Sequence, residues 1–565
     1  MEEKNKNSIN IQKRKNRHLI LYSMVGLLFV IGIIFTILQF RFINQTINNH
    51  GSITYYDNTG TKMLTIKKKP ISINEIPKRE LALLNTTGES YLRSYIIEQI
   101  FNGNQKGILT NLKKETAKLY FTVFVDEKEL VNYYLNELDF KTGIIGMGTA
   151  AEYFFRKQVN ELDSLEWSYL LALEKISHNQ IIDENNEQVR DYMKEVLEEY
   201  YKTGVLSKDE FNNDKKDFPH FLETMLTHKY AYCYSYLQYA YSELIESNNT
   251  PIHSNLAIYL NIDQKVQKEL FNQYIKKDNF PKSQNQDNGI ESSMVIVNHK
   301  NGELVAMMGS RNPFAKVLNR VDHPRQPAST MKPLVVYGPA MELGWKRDDR
   351  LKDVPFRIGT FQPLNYDYIY RKEVSLEEGL VMSYNVPTVW LLQQIGLHTG
   401  LEYLKKFKVF TVDIRDSFPI ALGFLQNGAS PLEMVKAYSA ISNRGQLVSG
   451  GTLKKIEIAN GEVTLPEKKP KQYRVFSERT SEELVSLLTA VVERGTGKSA
   501  YIEGEQVYGK TGTNSNDGWF IGGVENYTAA VWVGNERMKP DQKQEVSGGS
   551  YPAALFKNVM SEVIK

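Results

Sequence analysis

The sequence predicts a multidomain chain: an N-terminal transmembrane helix, a mostly α-helical module, and a C-terminal α/β domain whose sheet is assembled from distant segments. Three observations predict it. Residues Leu19 to Phe40 carry no charge. From about Tyr91 to Ile176 apolar residues recur at spacings of three and four with few Pro or Gly breakers, as in helices with one buried face. Near Asn255 the pattern changes to short apolar runs bounded by turn residues, and such runs return near the C-terminus. At 565 residues the chain is too long for one core.

The uncharged run is 22 residues long. A helix of that length rises about 33 Å, enough to cross a hydrocarbon core of roughly 30 Å. Lys4, Lys6, Lys13, Arg14, Lys15 and Arg17 precede it, and Arg41 is the only basic residue among the twenty that follow. This asymmetry keeps residues 1–18 in the cytoplasm and the rest outside, in a single-pass cell-membrane protein. A cleaved signal peptide would have a shorter apolar core and a small-residue cleavage site, whereas Gln39-Phe40-Arg41-Phe42 stands here. An extracytoplasmic setting excludes chemistry that needs ATP or nicotinamide cofactors.

Past the anchor, Ile53-Thr54-Tyr55-Tyr56 followed by Asp57-Asn58-Thr59-Gly60 reads as a strand entering a turn. Residues from about 183 to 247 are again helical, a connecting module rich in charge and tyrosine. Tyr230, Tyr232, Tyr234, Tyr236, Tyr239 and Tyr241 are expected to pack between helices rather than stack on sugars. Strands are expected over residues 256–260, 292–298 and 303–308, the last two joined as a hairpin through Asn298-His299-Lys300-Asn301-Gly302. Helices should follow Ser329 and Leu376, and strands should close the chain at 508–513, 519–523 and 529–534. The net charge of +3, from 69 basic and 66 acidic residues, is too even for a dedicated nucleic-acid binder. The lone Cys233 permits no intrachain disulfide and reads as a small buried hydrophobe.

Three short motifs carry chemistry: Ser329-Thr330-Met331-Lys332, Ser383-Tyr384-Asn385 and Lys510-Thr511-Gly512-Thr513. A serine hydroxyl is a weak nucleophile until a neighbouring base takes its proton. On a helix Ser329 and Lys332 share a face. Lys332 must be held neutral, by desolvation or by a nearby positive charge such as Lys510. Ser383 can relay a proton to a leaving amine, and Asn385 offers a donor and an acceptor to a substrate peptide group. Lys510, Thr511 and Thr513 would present an ammonium and hydroxyls to a carboxylate, while Gly512 keeps the strand open to substrate. Backbone N–H groups of Ser329 and Thr513 are the oxyanion-hole candidates. Ser-x-x-Lys alone is weak, Ser-x-Asn weaker still and Lys-Thr-Gly of moderate specificity; the ordered trio is a strong signal.

From about Asn255 to Met560 the chain resembles the transpeptidase domain of class A penicillin-binding proteins. The resemblance rests on that trio in its context, Arg325-Gln326-Pro327-Ala328-Ser329-Thr330-Met331-Lys332-Pro333 and Ser383-Tyr384-Asn385-Val386-Pro387. Asn301-Gly302-Glu303-Leu304-Val305-Ala306-Met307, Ala421-Leu422-Gly423, Ser430-Pro431-Leu432-Glu433-Met434, Gly495-Thr496-Gly497 and Asp517-Gly518-Trp519-Phe520 also match. Ala328 departs from the glycine usual before the serine. The fold implied is that of penicillin-binding proteins and serine β-lactamases, an antiparallel sheet flanked by helices.

The family usually carries a lysozyme-like glycosyltransferase domain that works through two glutamates. Lys113-Lys114-Glu115 resembles its second glutamate motif, and Tyr134-Leu135-Asn136, Gly146-Met147-Gly148-Thr149-Ala150-Ala151 and Tyr153-Phe154-Phe155-Arg156-Lys157 match too. The earlier half departs: Asn85-Thr86-Thr87-Gly88-Glu89-Ser90-Tyr91 stands where the family places an acidic pair, a phenylalanine and a histidine. Glu89 is the one replacement, better read as a surface residue. The expectation is a degenerate domain without turnover, Glu115 being its remnant.

The domains expected are a cytoplasmic tail (1–18), an anchor (19–40), the degenerate glycosyltransferase-like domain (41–182), a helical linker (183–254) and the transpeptidase domain (255–565). The resemblance implies a D,D-transpeptidase that acylates Ser329 with D-Ala-D-Ala stem peptides, cross-links peptidoglycan and is a target of β-lactams. A separate glycan polymerase is an expected partner, and no metal or cofactor is expected. Alternatives are a D,D-carboxypeptidase, a non-catalytic scaffold or β-lactam sensor, and a β-lactamase; no Glu-x-x-Leu-Asn to activate a deacylating water lies between Asn385 and Lys510.

Overall fold

The computed structural model describes the chain except residues 1–21, 23, 25, 26, 28, 29, 44–50, 79, 82–88, 102–106, 141, 179–188, 247–254, 282–289, 315–317, 414, 459–462, 465–470 and 536–545. The expected membrane span therefore lies partly outside the described residues. Within it, residues 22, 24, 27 and 30–40 are helical, and the helix runs on to residue 43. Among the described residues no helix is long and apolar enough to cross a membrane. Leu27, Val30, Ile34, Ile37 and Leu38 on this helix are nevertheless exposed.

The helical expectation for the next part is met by helices Glu89–Ile100, Ile108–Val123, Glu127–Glu137, Met147–Phe155 and Ser164–His178. Helices Val189–Lys202, Lys208–Thr224 and Tyr234–Glu246 follow. Tyr234, Tyr236 and Tyr241 are buried, and Cys233 is buried beside them. The Tyr134-Leu135-Asn136 and Gly146-Met147-Gly148 motifs serve one packing job. Asn136 Oδ1 accepts from Ile71 N at 2.8 Å and Asn136 Nδ2 donates to Ile71 O at 2.9 Å. A Cβ on Gly148 would meet Lys69 O at 2.5 Å. Both clamp the strap 68–72 onto the helices.

Along the chain the strands are β1 (Ser52–Tyr56), β2 (Lys62–Lys67), β3 (Leu256–Leu260), β4 (Ile290–Asn298), β5 (Leu304–Met308), β6 (Arg350–Asp353), β7 (Lys372–Ser375), β8 (Gln446–Val448), β9 (Leu453–Ile458), β10 (Val463–Thr464), β11 (Gln472–Arg474), β12 (Tyr508–Thr513), β13 (Asp517–Val524) and β14 (Tyr527–Asn535). One sheet, in the order β10-β9-β3-β1-β2, joins segments from two of the expected domains. Within it β1 lies parallel to β3, with Ile53 opposite Leu256 and Tyr56 opposite Tyr259.

The second sheet has the order β12-β13-β14-β4-β5, and every neighbouring pair in it is antiparallel. Every residue of β13 is buried, so both faces are covered. Helices Pro431–Ser442 and Glu478–Glu493 pack against it, as do Gln264–Tyr274 and Tyr551–Val563. The hairpin expected over residues 292–308 is β4 and β5. This arrangement leaves β12 at an edge, with one row of backbone groups free of the ladder.

Candidate active site

The helix expected to follow Ser329 does not begin as an α-helix. Residues Ala328–Met331 form a 3-10 turn, Pro333–Tyr337 a π-turn, and only Gly338–Glu342 is α-helical. Prolines at 327, 333 and 339 explain the irregularity, since each lacks the N–H that a helix ladder needs. The irregularity suits the site, because residues three apart eclipse on a 3-10 turn, and Lys332 N donates to Ser329 O. Lys332 thus follows Ser329 by one turn, and among the described residues no hydrogen bond joins Ser329 Oγ to Lys332 Nζ.

Two glycines let the turn be gripped from both sides. A Cβ on Gly423, at φ 82°, would meet Ala328 O at 2.1 Å, and one on Gly512 would meet Pro327 O at 2.6 Å. Gln326 O accepts from Trp519 Nε1 at 3.0 Å, which fastens the turn to β13. Tyr438 OH donates to Thr330 O at 2.7 Å from below. A solvent-open cavity of about 450 Å³ adjoins the turn, lined by Gln326, Asp416, Ser417, Pro419, Phe424, Leu425 and Gln426.

Lys332 is fully buried. Its Nζ donates to Ser383 O at 2.7 Å, Tyr384 O at 3.1 Å and Asn385 Oδ1 at 2.8 Å, and lies 3.3 Å from Ser383 Oγ. Ser383 reaches it because its backbone is left-handed, at φ 59°. From the opposite side Lys510 Nζ, also fully buried, donates to Ser383 Oγ at 2.8 Å and Thr511 O at 2.9 Å. Neither lysine forms an ion pair among the described residues. Burial first, and the Lys510 charge second, hold the Lys332 amine well below the ordinary lysine range. Burial pulls Lys510 down to about 7. Ser383 Oγ thus bridges two amines that the site makes easy to deprotonate.

The structure gathers Lys332, Ser383, Asn385 and Lys510 into one hydrogen-bonded cluster, joined to Ser329 through the backbone turn that ends at Lys332. Lys510 Nζ faces Ser383 Oγ, where its charge bears on the Lys332 amine; Thr511 beside it is buried and Thr513 is exposed. Thr511 Oγ1 lies 2.6 Å from Thr496 Oγ1, and Thr513 Oγ1 accepts from Gly548 N at 2.9 Å.

Sequence reading missed Asn365 and Asp353. Asn365 Oδ1 accepts from Asn385 N and Val386 N, both at 3.0 Å, and its Nδ2 donates to the buried Asp353 Oδ1 at 2.7 Å. Helix Asn385–Ile395 has no side-chain cap of its own; Asn365 supplies one from a distant loop. Pro363-Leu364-Asn365-Tyr366-Asp367 signals a turn in sequence, but nothing there names its partner twenty residues on.

In the helical module Glu115 is exposed on helix Ile108–Val123, while Lys114 beside it pairs with Glu98 at 2.7 Å. Glu89 opens helix Glu89–Ile100 and pairs with Arg93. Among the described residues no hydrogen bond or ion pair joins Glu89 to Glu115. Asn85 to Gly88 lie outside the described residues.

Known proteins carry the same pattern. Residues 292–561 match the penicillin binding protein transpeptidase domain, and residues 86–201 match the transglycosylase family. Penicillin-binding protein 1F of Bacillus subtilis is 30% identical over 91% of this chain and 77% of its own length. Penicillin-binding protein 4 of the same organism is 28% identical over 80% and 76%. The crystal structure of penicillin-binding protein 1A from Haemophilus influenzae has the same fold, with a TM-score of 0.53 at 18% identity, covering 91% of this chain and 92% of that one. The chain belongs to the class A penicillin-binding proteins, with a transglycosylase domain ahead of a transpeptidase domain.

Proposed function

We propose that this chain is a membrane-anchored peptidoglycan D,D-transpeptidase whose transpeptidase domain acts outside the cell. The observation that carries the reading is the buried pair of lysines around Ser383 Oγ, one of them a single turn after Ser329. Ser329 Oγ attacks the penultimate D-Ala carbonyl and gives its proton to the neutral Lys332 amine. Backbone N–H groups of Ser329 and Thr513 hold the oxyanion. The C–N bond breaks, Ser383 passes a proton to the departing D-Ala amine, and an ester to Ser329 remains. A stem-peptide amine then attacks the ester, returning the proton to Ser329. Asn385 binds the substrate amide, and the Thr511 and Thr513 hydroxyls, with the Lys510 charge behind them, receive the terminal carboxylate.

β-Lactams follow the first half of this path and stay attached. Intact-mass measurement after incubation with penicillin should show one adduct on Ser329, absent in Ser329→Ala; a wild-type chain that gains no mass would falsify the proposal. Products formed from a stem-peptide mimic with and without an added amine separate transfer from hydrolysis.

Two further parts belong to the proposal. Exposed apolar side chains on helix 30–43 support anchoring in lipid. Phe40 packs on Tyr120 and Phe124, with ring centroids 4.9 and 5.5 Å apart, which sets the exposed Ile108, Leu109, Leu112, Leu119 and Val123 beside the same lipid surface. The transglycosylase domain acts as a docking surface rather than a polymerase, since glycosyl transfer needs a base beside the acceptor and Glu89 is engaged by Arg93. A separate polymerase then supplies the glycan. Glycan chains formed from lipid II by the purified protein and lost in Glu115→Gln would sink this part alone.

A further inference from the structure

The loop between β6 and β7, residues 354–371, puts Leu364, Tyr366, Tyr368 and Ile369 into solvent, at 46, 56, 77 and 56% exposure. An apolar cluster of this kind on a water-soluble surface marks a contact site. The backbone beneath it is fixed. Asn365 is buried and holds Asn385 N, Val386 N, Asp353 Oδ1 and Ile369 O at once. Asp353, fully buried, also accepts from Arg371 N at 3.0 Å. Tyr368 is held left-handed at φ 60°, a conformation unfavourable for a tyrosine and one that a merely connecting loop has no need of.

The cluster is continuous with the site. Leu364 O accepts from Asn385 Nδ2 at 2.9 Å, while Asn385 Oδ1 takes Lys332 Nζ. This fixes the carboxamide and leaves one N–H of Asn385 for a substrate carbonyl. The Tyr366 ring stacks on Tyr384, the middle residue of the Ser383-Tyr384-Asn385 motif, at 6.2 Å and 19°. The Arg371 guanidinium lies 3.9 Å from the Tyr384 ring centroid and is paired with Asp367. Arg371 is therefore balanced by Asp367, and what this part of the rim offers a ligand is apolar surface.

We propose that Leu364, Tyr366, Tyr368 and Ile369 form a subsite for the stem-peptide residues that precede D-Ala-D-Ala, gripping their aliphatic portions; this rests on the transpeptidase reading above. An extended peptide advances about 3.3 Å per residue, so residues two and three before the scissile bond lie about 7 to 10 Å beyond it, past Asn385. The rim would make the enzyme select long stems over bare D-Ala-D-Ala.

The test compares the full chain with Tyr366→Ala, Tyr368→Ala and the double variant on two substrates, an acetyl-capped D-Ala-D-Ala and a full pentapeptide stem. Release of D-Ala gives kcat/KM for each. The ratio of long to short should fall roughly tenfold in the double variant, as expected for loss of two aromatic contacts. A ratio that stays constant, whether both values drop or neither does, overturns the subsite, the former pointing to a structural role for the loop. A penalty seen only when the stem carries its disaccharide overturns it in favour of a sugar site. Penicillin labelling of the wild type keeps the two readings apart: labelled protein with no preference for long stems sinks the subsite alone, and unlabelled protein sinks the transpeptidase itself.

Discussion

Ala328 carries its side chain at φ 50°, in the left-handed region, directly before the serine that we propose is acylated. Here alanine replaces the glycine usual before the serine, and the cost of its side chain lies in the backbone. A left-handed alanine costs roughly 1 kcal/mol or more, and a glycine there would lose part of that gain to its freer unfolded chain. Ala328→Gly is therefore expected to raise stability by about 0.5 kcal/mol, read from the denaturant midpoint, while Ser329 remains open to penicillin. Ser383, at φ 59°, is strained in the same sense, and there the strain aims its carbonyl at Lys332. Residue identities at the cluster were legible because motif spacing encodes them. The hydrogen bonds of Asn365 were not, since a side chain that caps a helix twenty residues away leaves no local pattern.

Among elements, β12 and the 3-10 turn meet so closely that glycine is required at both flanks. Gly512→Ala would drive a Cβ to 2.6 Å from Pro327 O. Loss of acylation by at least tenfold is expected, with about 1–3 kcal/mol of destabilisation from overpacking, measurable by penicillin labelling and thermal unfolding of one sample. The two buried lysines set the pH behaviour. Acylation should rise as Lys332 loses its proton and fall as Lys510, near 7, loses its own. Both amines are depressed in the folded state, so between their folded values and the ordinary lysine value of ~10.4 the unfolded chain binds more protons. Stability from these groups should therefore grow with pH across that window, and Lys332→Met should flatten the slope seen in denaturant titrations. Strand positions in the second sheet were readable from their apolar runs, but the 3-10 and π turns were not, because proline signals a break without saying which irregular turn results.

At the scale of the molecule, burial of one ion pair holds the strap after β2 to the helical module. Lys68 Nζ lies 2.6 Å from Glu137 Oε1, with the side chains 7 and 1% exposed. Burial pushes the Glu137 carboxyl up and the lysine partly offsets this. Lys68→Ala would strand a buried carboxylate and should cost about 3 kcal/mol in chemical denaturation, most of it recovered when Glu137→Met is added. Domain order was legible from composition and motif, whereas the sheet that crosses those domains was not: β1 and β3 pair across some two hundred residues, and sequence periodicity carries no information on such distant partners.

That parallel pairing has a mechanical meaning. Tension arriving from the N-terminal side of β1, against a load held at the C-terminal end of β3, acts along the strands and in opposite senses. The ladder between Ile53 and Tyr56 is then sheared as a set rather than peeled one bond at a time. Such a pull would be felt by the sheet that also holds β9, so the transpeptidase domain would move with the segment before β1.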